Sequence, residues 1–240
     1  MSVALVIAAT SASAAALPDY RPALLGNHSR SFVNLINAQA LMKRGQGDAL
    51  VLFDVAVSAT GSSYTGSALC YRASPNSEAL QNEVVARLEQ AQFEPAVFKG
   101  SRVAVWLSGM VSFYVRDGKP RVRVFLHQEE ADLQKGSDFV APQLAGVPGN
   151  PKFKGIYYPP KAPGHPGAAS VNLDVSAEGE VRSSTVAFED PKGMGFGVQT
   201  AGPLRDALFI PGFRNGKRVA CRFTWTCMFR RPGLQMAGIF

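Results

Sequence analysis

The sequence predicts an α+β protein built from two small modules, each containing an antiparallel β-hairpin, a helix and a third strand. The first observation is an internal repeat: residues 93–104 and residues 209–220 share six identities in twelve positions at a constant offset of 116. The second is a matching pattern upstream, where residues 51–61 align with residues 169–179 at an offset of 118. A duplication with a two-residue insertion or deletion in the hairpin explains both offsets.

The hairpin of the first module follows from a period of two. Residues 51–57 alternate apolar residues with small or polar ones, which is typical of a half-buried strand. Thr60-Gly61 then supplies a turn, and residues 63–72 are predicted to return as the second strand.

The helix of the first module is predicted over residues 75–92. Leu80 and Leu88 fall on one face of such a helix, with charged residues on the others. Ser74-Pro75 suits a helix start, because a capping side chain is followed by Pro at the first helical position, and Asp190-Pro191 repeats this pair in the second module.

The third strand of the first module is predicted over residues 103–115, with a bulge at Ser108-Gly109. Asp117-Gly118 is a strong hairpin signal and leads to an extra strand over residues 121–127. The second module lacks this extra strand, and several glycines together with Pro203 weaken its helix.

Flanking segments define the domain organisation. Residues 31–44 read as an amphipathic helix that Gly45 ends, so the first module with its N-terminal helix spans residues 17–146. Residues 147–167 hold six prolines and four glycines, which is typical of an extended linker with little helix or sheet. The second module is predicted over residues 168–240.

The N-terminal segment predicts export. Residues 1–16 are apolar and small, shorter than the roughly 20 residues of a membrane span, and have an Ala-x-Ala end typical of a secretory signal. No Lys or Arg precedes the apolar run, so either the true start lies upstream or the segment has another role. We expect a periplasmic protein without a direct membrane span.

Composition and charge restrict the function classes. Hydrophobic residues make up 46% and charged residues 18% of the chain, a globular composition. The net charge is +7, but Lys and Arg are scattered without a long run, which favours a solvated basic surface over a nucleic-acid site. Cys70, Cys221 and Cys227 are odd in number, and the last two would lie about 20 Å apart along a strand, too far to pair unless it bends.

The ordered motifs of both copies resemble the C-terminal domain family of TonB and TolA. The second copy carries the motifs Tyr158-Pro159, Gly164 and Gly167, the hairpin Gly179, Phe209-Ile210-Pro211, Asn215-Gly216 and a last strand ending at Phe229. The first copy carries Gly45 and Gly47, the hairpin Gly61, Phe93-Glu94-Pro95 and Lys99-Gly100. The resemblance implies tandem modules of that α+β fold. Since neither a membrane helix nor a long Pro-rich spacer is visible, it implies the binding half of a transducer's work.

The residues give little indication of catalysis, metal binding or a cofactor. His28, His127 and His165 lie in different segments, and none forms part of a recognisable triad. Residues 193–197 resemble a phosphate loop only superficially, because the Gly-Lys-Ser/Thr end is missing. Asp54 and Asp174 occupy non-equivalent positions of the two first strands, which does not suggest a carboxylate pair. We expect no enzyme, no cofactor and no metal.

The last strand of each module is the element with a functional rationale. The resemblance implies an edge strand that accepts an extended peptide as an added strand. The predicted peptide-binding residues are Val219, Cys221, Phe223, Trp225, Cys227 and Phe229. The alternative is that this aromatic face packs on the helix as core.

We therefore expect a protein that captures an envelope protein or peptide segment without catalysis, with an outer-membrane transporter among the candidate partners and a homodimer as a further option. The alternatives are a transport energy transducer whose anchor is missing from this chain, a structural dimerisation module and, from another class, a secreted enzyme.

Overall fold

The protein is mostly β. The computed structural model describes residues 16–126, 138–147, 150, 153–162 and 164–230, together with the backbone of residues 234–236. Strands hold 47% of the chain and helices 15%. The prediction of two small α+β modules is therefore wrong. The predicted signal segment, except Ala16, lies outside the described residues.

The first part of the chain supplies eight strands and three short helices to the described structure. The strands are β1 (Tyr20–Arg21), β2 (Ala49–Val57), β3 (Leu69–Arg72), β4 (Ala96–Phe98), β5 (Ser101–Arg116), β6 (Lys119–Leu126), β7 (Phe139–Val140) and β8 (Gln143–Gly146). The helices are α1 (Phe32–Leu35), α2 (Ala38–Lys43) and α3 (Glu78–Leu88).

The second part supplies the remaining described elements. The strands are β9 (Ile156–Tyr157), β10 (Gly167–Val175), β11 (Val181–Asp190), β12 (Phe209–Ile210), β13 (Gly212–Arg214), β14 (Lys217–Val219), β15 (Cys221–Phe229) and β16 (Leu234–Met236). The helix is α4 (Phe196–Leu204).

One large sheet joins the two parts, and this is why separate modules do not form. Eight strands form a nearly closed, barrel-like sheet in which β5 pairs with β2, β4, β6 and β8. β8 also pairs with β12, so that Phe209 lies opposite Leu144. Strands of two to four residues are too short to show a period of two, so the sequence pattern did not reveal them.

The described residues also form three smaller sheets. The second major sheet has the order β11-β10-β15. β13 pairs with both β14 and β7, and β16 pairs with β9. β9 lies inside the segment predicted to be a linker, where Ile156 is fully buried.

The internal repeat has a counterpart in backbone geometry. Gly61 and Gly179 both have positive φ, at 89° and 84°. Each carbonyl accepts a hydrogen bond of 2.8 Å, from the amide of Phe93 and Phe209 respectively. A Cβ atom would lie 2.1 Å and 1.9 Å from the carbonyl oxygen of those same phenylalanines. Only glycine therefore fits either turn.

The repeated pattern extends further upstream than the sequence comparison found. β1 pairs with β4, placing Tyr20 opposite Phe98. β13 is the equivalent of β4 in the repeat, and it pairs with β7, placing Phe139 opposite Arg214. These two-residue strands carry too few identities to stand out in a sequence comparison.

Several predicted boundaries need correction. The helix predicted over residues 31–44 is two helices, because Ile36 is extended and the Asn37 side chain caps α2 by accepting a hydrogen bond from the Ala40 amide. The helix predicted from Ser74-Pro75 begins only at Glu78. The second strand of the first hairpin is confined to β3.

Gly109 has a different role from the predicted bulge. The pairing of β2 with β5 runs through Gly109 without a register shift. A Cβ at this position would lie 2.5 Å from the Phe125 carbonyl oxygen and 2.6 Å from the Phe53 ring. The glycine is needed because the ring and the neighbouring strand approach closely. The Asp117-Gly118 turn is confirmed, since Arg116 pairs with Lys119 across it.

The described residues form two hydrophobic cores. The first contains Phe53, Val84 and Phe93. The second contains Phe196 and Phe223 among others, and it also takes in Ala56 and Trp106 from the outer face of the large sheet. The part of that face formed by Ala56 and Trp106 is apolar, and the second core covers it and keeps it from water.

Candidate functional site

The sequence-predicted binding residues lie on β14 and β15, with their aromatic face in the second core. Phe223, Trp225, Cys227 and Phe229 are 5% exposed or less, whereas Val219 and Cys221 are half-buried. These four buried side chains are therefore core residues, as the alternative interpretation held. A partner strand at β15 would therefore be recognised through the backbone of β15 and through the residues that surround this strand.

β15 itself is an edge strand of the second sheet. It pairs with β10 over nine consecutive residue pairs without a register shift, from Gly167 opposite Phe229 to Val175 opposite Cys221. In the described part of the chain its other edge has no strand partner. The opposite edge strand, β11, pairs with β10 through two irregularities.

A cavity of about 300 Å³ lies between the outer face of the large sheet and β15. β2, β3 and β5 line one side, and Thr224, Trp225 and Thr226 of β15 line the other. Its volume is at the small end of the range for ligand pockets in proteins. The site therefore suits a group the size of one side chain.

Asp54 is the acidic residue of this cavity. It comes from the middle of β2, between Leu52 and Ala56 on the outer face, and lies opposite Ser108 of β5. The Ser108 hydroxyl donates to the carboxylate, and the Tyr71 hydroxyl lies within hydrogen-bonding reach. Loss of water around the carboxyl raises its pKa to about 6, and the two hydroxyls offset only part of this effect.

The groups around Asp54 remain protonated at neutral pH. Burial, reinforced by the negative charge of Asp54, raises the pKa of Tyr71 well above its ordinary value. Burial also raises the pKa of Cys227 and of Cys70 to about 12. Cys70 and Cys227 are free thiols, and both are unreactive because their raised pKa values disfavour the thiolate.

Two buried indoles border the same region. Trp225 lines the cavity, and Trp106 lines a narrow crevice together with Asp54, Tyr71 and Trp225. Trp106 is 6% and Trp225 is 5% exposed. Neither indole N–H has a hydrogen-bond partner among the described residues. Buried donors without acceptors are uncommon and costly.

The equivalent site of the second part has an amide in place of the acid. Asn172 takes the place of Asp54, and the Thr224 hydroxyl donates to it at 3.1 Å, as Ser108 does to Asp54. The carboxylate of Asp174 is instead paired with Arg222 at 2.8 Å at the surface. Hydrogen bonds from Arg222 and Ser183 lower the pKa of Asp174 to about 2.

The described histidines, His28 and His165, make separate local hydrogen bonds. His28 accepts a hydrogen bond from the Arg30 amide through its Nδ1 atom at 3.1 Å, and the His165 carbonyl accepts one from Tyr158. His127 lies outside the described residues. No group of three or more His, Cys, Asp or Glu within the described ranges is placed to hold a metal ion.

The glycine-rich segment before α4 is already occupied by an internal anion. The Glu189 carboxylate accepts hydrogen bonds from the amides of Gly195 at 2.6 Å and Phe196 at 3.2 Å. These are the amides that a phosphate would otherwise use at a helix N-terminus. The segment therefore serves as a capped helix start.

Asp54 is conspicuous in the sequence, but the residues that surround it in the structure are not. An available signal was the pairing of Asp54 with Asn172 by the repeat, since an acid in the middle of an otherwise apolar strand is unusual. Tyr71, Ser108 and Trp106 were missed, because which strand face the second part covers depends on tertiary packing.

None of the helices in the described ranges has the length and hydropathy needed to cross a bilayer. Comparison with known proteins finds no matching family model, no similar curated protein and no similar solved structure. The resemblance to TonB and TolA C-terminal domains accordingly stays a prediction from sequence motifs.

Proposed function

We propose that this protein binds an extended segment of another protein, without catalysis, by pairing the segment with the outer edge of β15. The observation that carries the proposal is the nine-residue regular register between β15 and β10, with the other edge of β15 lacking a strand partner among the described residues. An edge of this kind presents main-chain donors and acceptors at the spacing of an added strand.

The contrast with β11 supports the choice of edge. β11 is an edge strand of ten residues, but its register with β10 shifts between Ser170 and Val171 and again between Asp174 and Val175. Bulges twist an edge and interrupt the ladder that a partner strand would need. β15 lacks such shifts, so it is the better template of the two.

The cavity supports binding over catalysis. Its described lining residues include one carboxyl group, from Asp54, and no histidine, lysine or second carboxyl. General acid–base chemistry usually pairs two titratable groups of different pKa. A single acid flanked by hydroxyls and an indole is better suited to recognising a side chain.

We further propose that binding takes place in the periplasm, with an envelope protein or peptide as the partner. The support is the apolar segment over residues 1–16 and the motif resemblance. An outer-membrane transporter as partner, a homodimer, and the transducer and dimerisation functions remain predictions from the sequence.

Hydrogen exchange of the full chain tests the proposal. The probe is a blocked nine-residue peptide of alternating valine and threonine with one central lysine. We expect it to protect amides within β15 and to leave the amides of β11 unchanged, since β11 serves as the internal control edge. A peptide that binds while protecting a surface other than β15 would contradict the proposal.

A further inference from the structure

Asp54 is a half-buried, poorly solvated carboxylate without a cationic partner among the described residues. Its described hydrogen-bonding neighbours are the hydroxyls of Ser108 and Tyr71. The ion pairs of the described residues involve Glu83 and Asp174, not Asp54. An unpaired carboxylate in a low-dielectric site is costly, and such groups are concentrated at functional sites.

The walls of the cavity suit the stem of a long cationic side chain. Leu52, Met110 and the rings of Tyr71 and Trp225 surround the acid with apolar and aromatic surface. Aromatic faces attract ammonium and guanidinium groups, and an apolar wall accommodates the methylene stem behind the charge.

Trp225 is a second, independent indication that a ligand binds in this cavity. Its indole is 5% exposed, lines the cavity and has an N–H donor without an acceptor among the described residues. The carboxylate needs a donor and the indole needs an acceptor. A peptide segment carries both kinds of group, because main-chain carbonyls accompany its basic side chain.

The fold does not need an acid at this position. The second part of the chain forms the same strand pair with Asn172 opposite Thr224, joined by a hydrogen bond. The negative charge of Asp54 is therefore not required for the pairing of these strands.

We propose that the cavity at Asp54 receives the ammonium or guanidinium group of a basic side chain in the segment that pairs with β15. This inference rests on the proposed function and names the chemistry that its segment carries. The carboxylate would pair with the cation, and the hydroxyls of Ser108 and Tyr71 would hold the carboxylate in place.

The affinity would depend on the protonation of Asp54. With the pKa of this carboxyl near 6, binding of a cation weakens as the pH falls below about 6. The other groups that face it are Tyr71, Cys70 and Cys227, whose pKa values are raised well above neutrality, and Arg230, whose guanidinium lies 5.3 Å from the Tyr71 ring centroid. The three groups with raised pKa values stay uncharged between pH 5 and pH 8.

Tryptophan emission provides the readout, because the chain contains only two tryptophans and both border the site. The full chain is titrated with the lysine peptide, with its norleucine twin and with n-butylammonium. We expect the norleucine peptide and the Asp54→Asn variant each to lower the affinity by about tenfold or more, the loss of a charge-assisted hydrogen bond. Asp174→Asn removes the same charge at the surface and should leave affinity unchanged.

The outcomes separate the two proposals. Equal binding of the lysine and norleucine peptides by the unaltered protein would overturn the cation site while leaving edge pairing intact. A response to n-butylammonium that Asp54→Asn abolishes, with neither peptide protecting β15, would support the cation site and overturn edge pairing. The comparison of the two peptides needs no variant, so it is unaffected by any folding defect.

Discussion

Replacing Asp54 with asparagine should stabilise the protein at pH 8 and not at pH 4. Burial raises the pKa of this carboxyl from 3.8 to about 6. The folded state therefore binds more protons than the unfolded state between these values, and the free energy of unfolding falls as the pH rises through them. At about 1.4 kcal/mol per pKa unit, ionised Asp54 costs about 3 kcal/mol above pH 6.

The substitution has a cost of its own. An asparagine oxygen can still accept from Ser108, as Asn172 accepts from Thr224 in the second part. The interaction with Tyr71 is weakened, which costs about 1 kcal/mol. The net expectation is a gain of about 2 kcal/mol at pH 8 and a change between zero and a loss of about 1 kcal/mol at pH 4.

Urea unfolding of the unligated protein at both pH values measures the effect. Asp174→Asn is the control of opposite sign, because the pKa of Asp174 is lowered to about 2 and its ionised form is favoured in the folded state. That contribution is present at pH 8 and is lost as the pH falls through about 2. If Asp54→Asn lowered the free energy of unfolding by the same amount at pH 8 and at pH 4, the reasoning would be refuted. Such a result would mean that the folded protein already compensates the charge of the Asp54 carboxylate.

Two further substitutions test the account of the fold by the same urea assay. Gly179→Ala should destabilise by several kcal/mol, because its φ is 84° and the added Cβ would lie 1.9 Å from a carbonyl oxygen, whereas Gly118→Ala, with open space around it, should cost about 1 kcal/mol. Equal losses would contradict the steric argument. Gln143→Ala should cost about 2–4 kcal/mol, because both atoms of this buried amide bond to the backbone of Ala23 at 2.8 Å and 2.9 Å. A loss below 0.5 kcal/mol would show that this contact between β8 and the segment after β1 contributes little.

Local signals in the sequence predicted several elements because neighbouring residues alone determine them. Gly61 and Gly179 mark turns that no other residue can form, so they survive in both copies and reveal the repeat. Asp117-Gly118 specifies its own hairpin through two positive φ angles, 52° and 67°. The core strands β2 and β10 likewise follow from alternation.

The strand pairings that join the sheets could not be predicted from the sequence, because they depend on residues far apart in the chain. β8 acquires its role by pairing with β5 on one side and β12 on the other, and neither contact leaves a local pattern. The outer face of the large sheet carries Trp106, which would be unusual on a solvated face and becomes reasonable only once the second core covers it. The mostly β fold follows from such pairings.

The candidate site could likewise be predicted only in the part that local sequence patterns determine. The sequence predicted a strand over residues 219–229, which the structure divides between β14 and β15, and anticipated that Phe223 could be core. It did not place Tyr71 and Trp225 around Asp54, because these residues are far apart in the chain and come together only where β15 meets the large sheet.

Backbone methylation of the peptide probe tests the central claim, the pairing of a segment with β15, most directly. Successive amides of an extended strand point to opposite sides, so pairing with one edge uses alternate amides. Two lysine peptides are compared, one N-methylated at odd positions and the other at even positions. We expect one of them to lose binding to the full chain and the other to retain it. Equal affinities for the two would contradict strand pairing at β15.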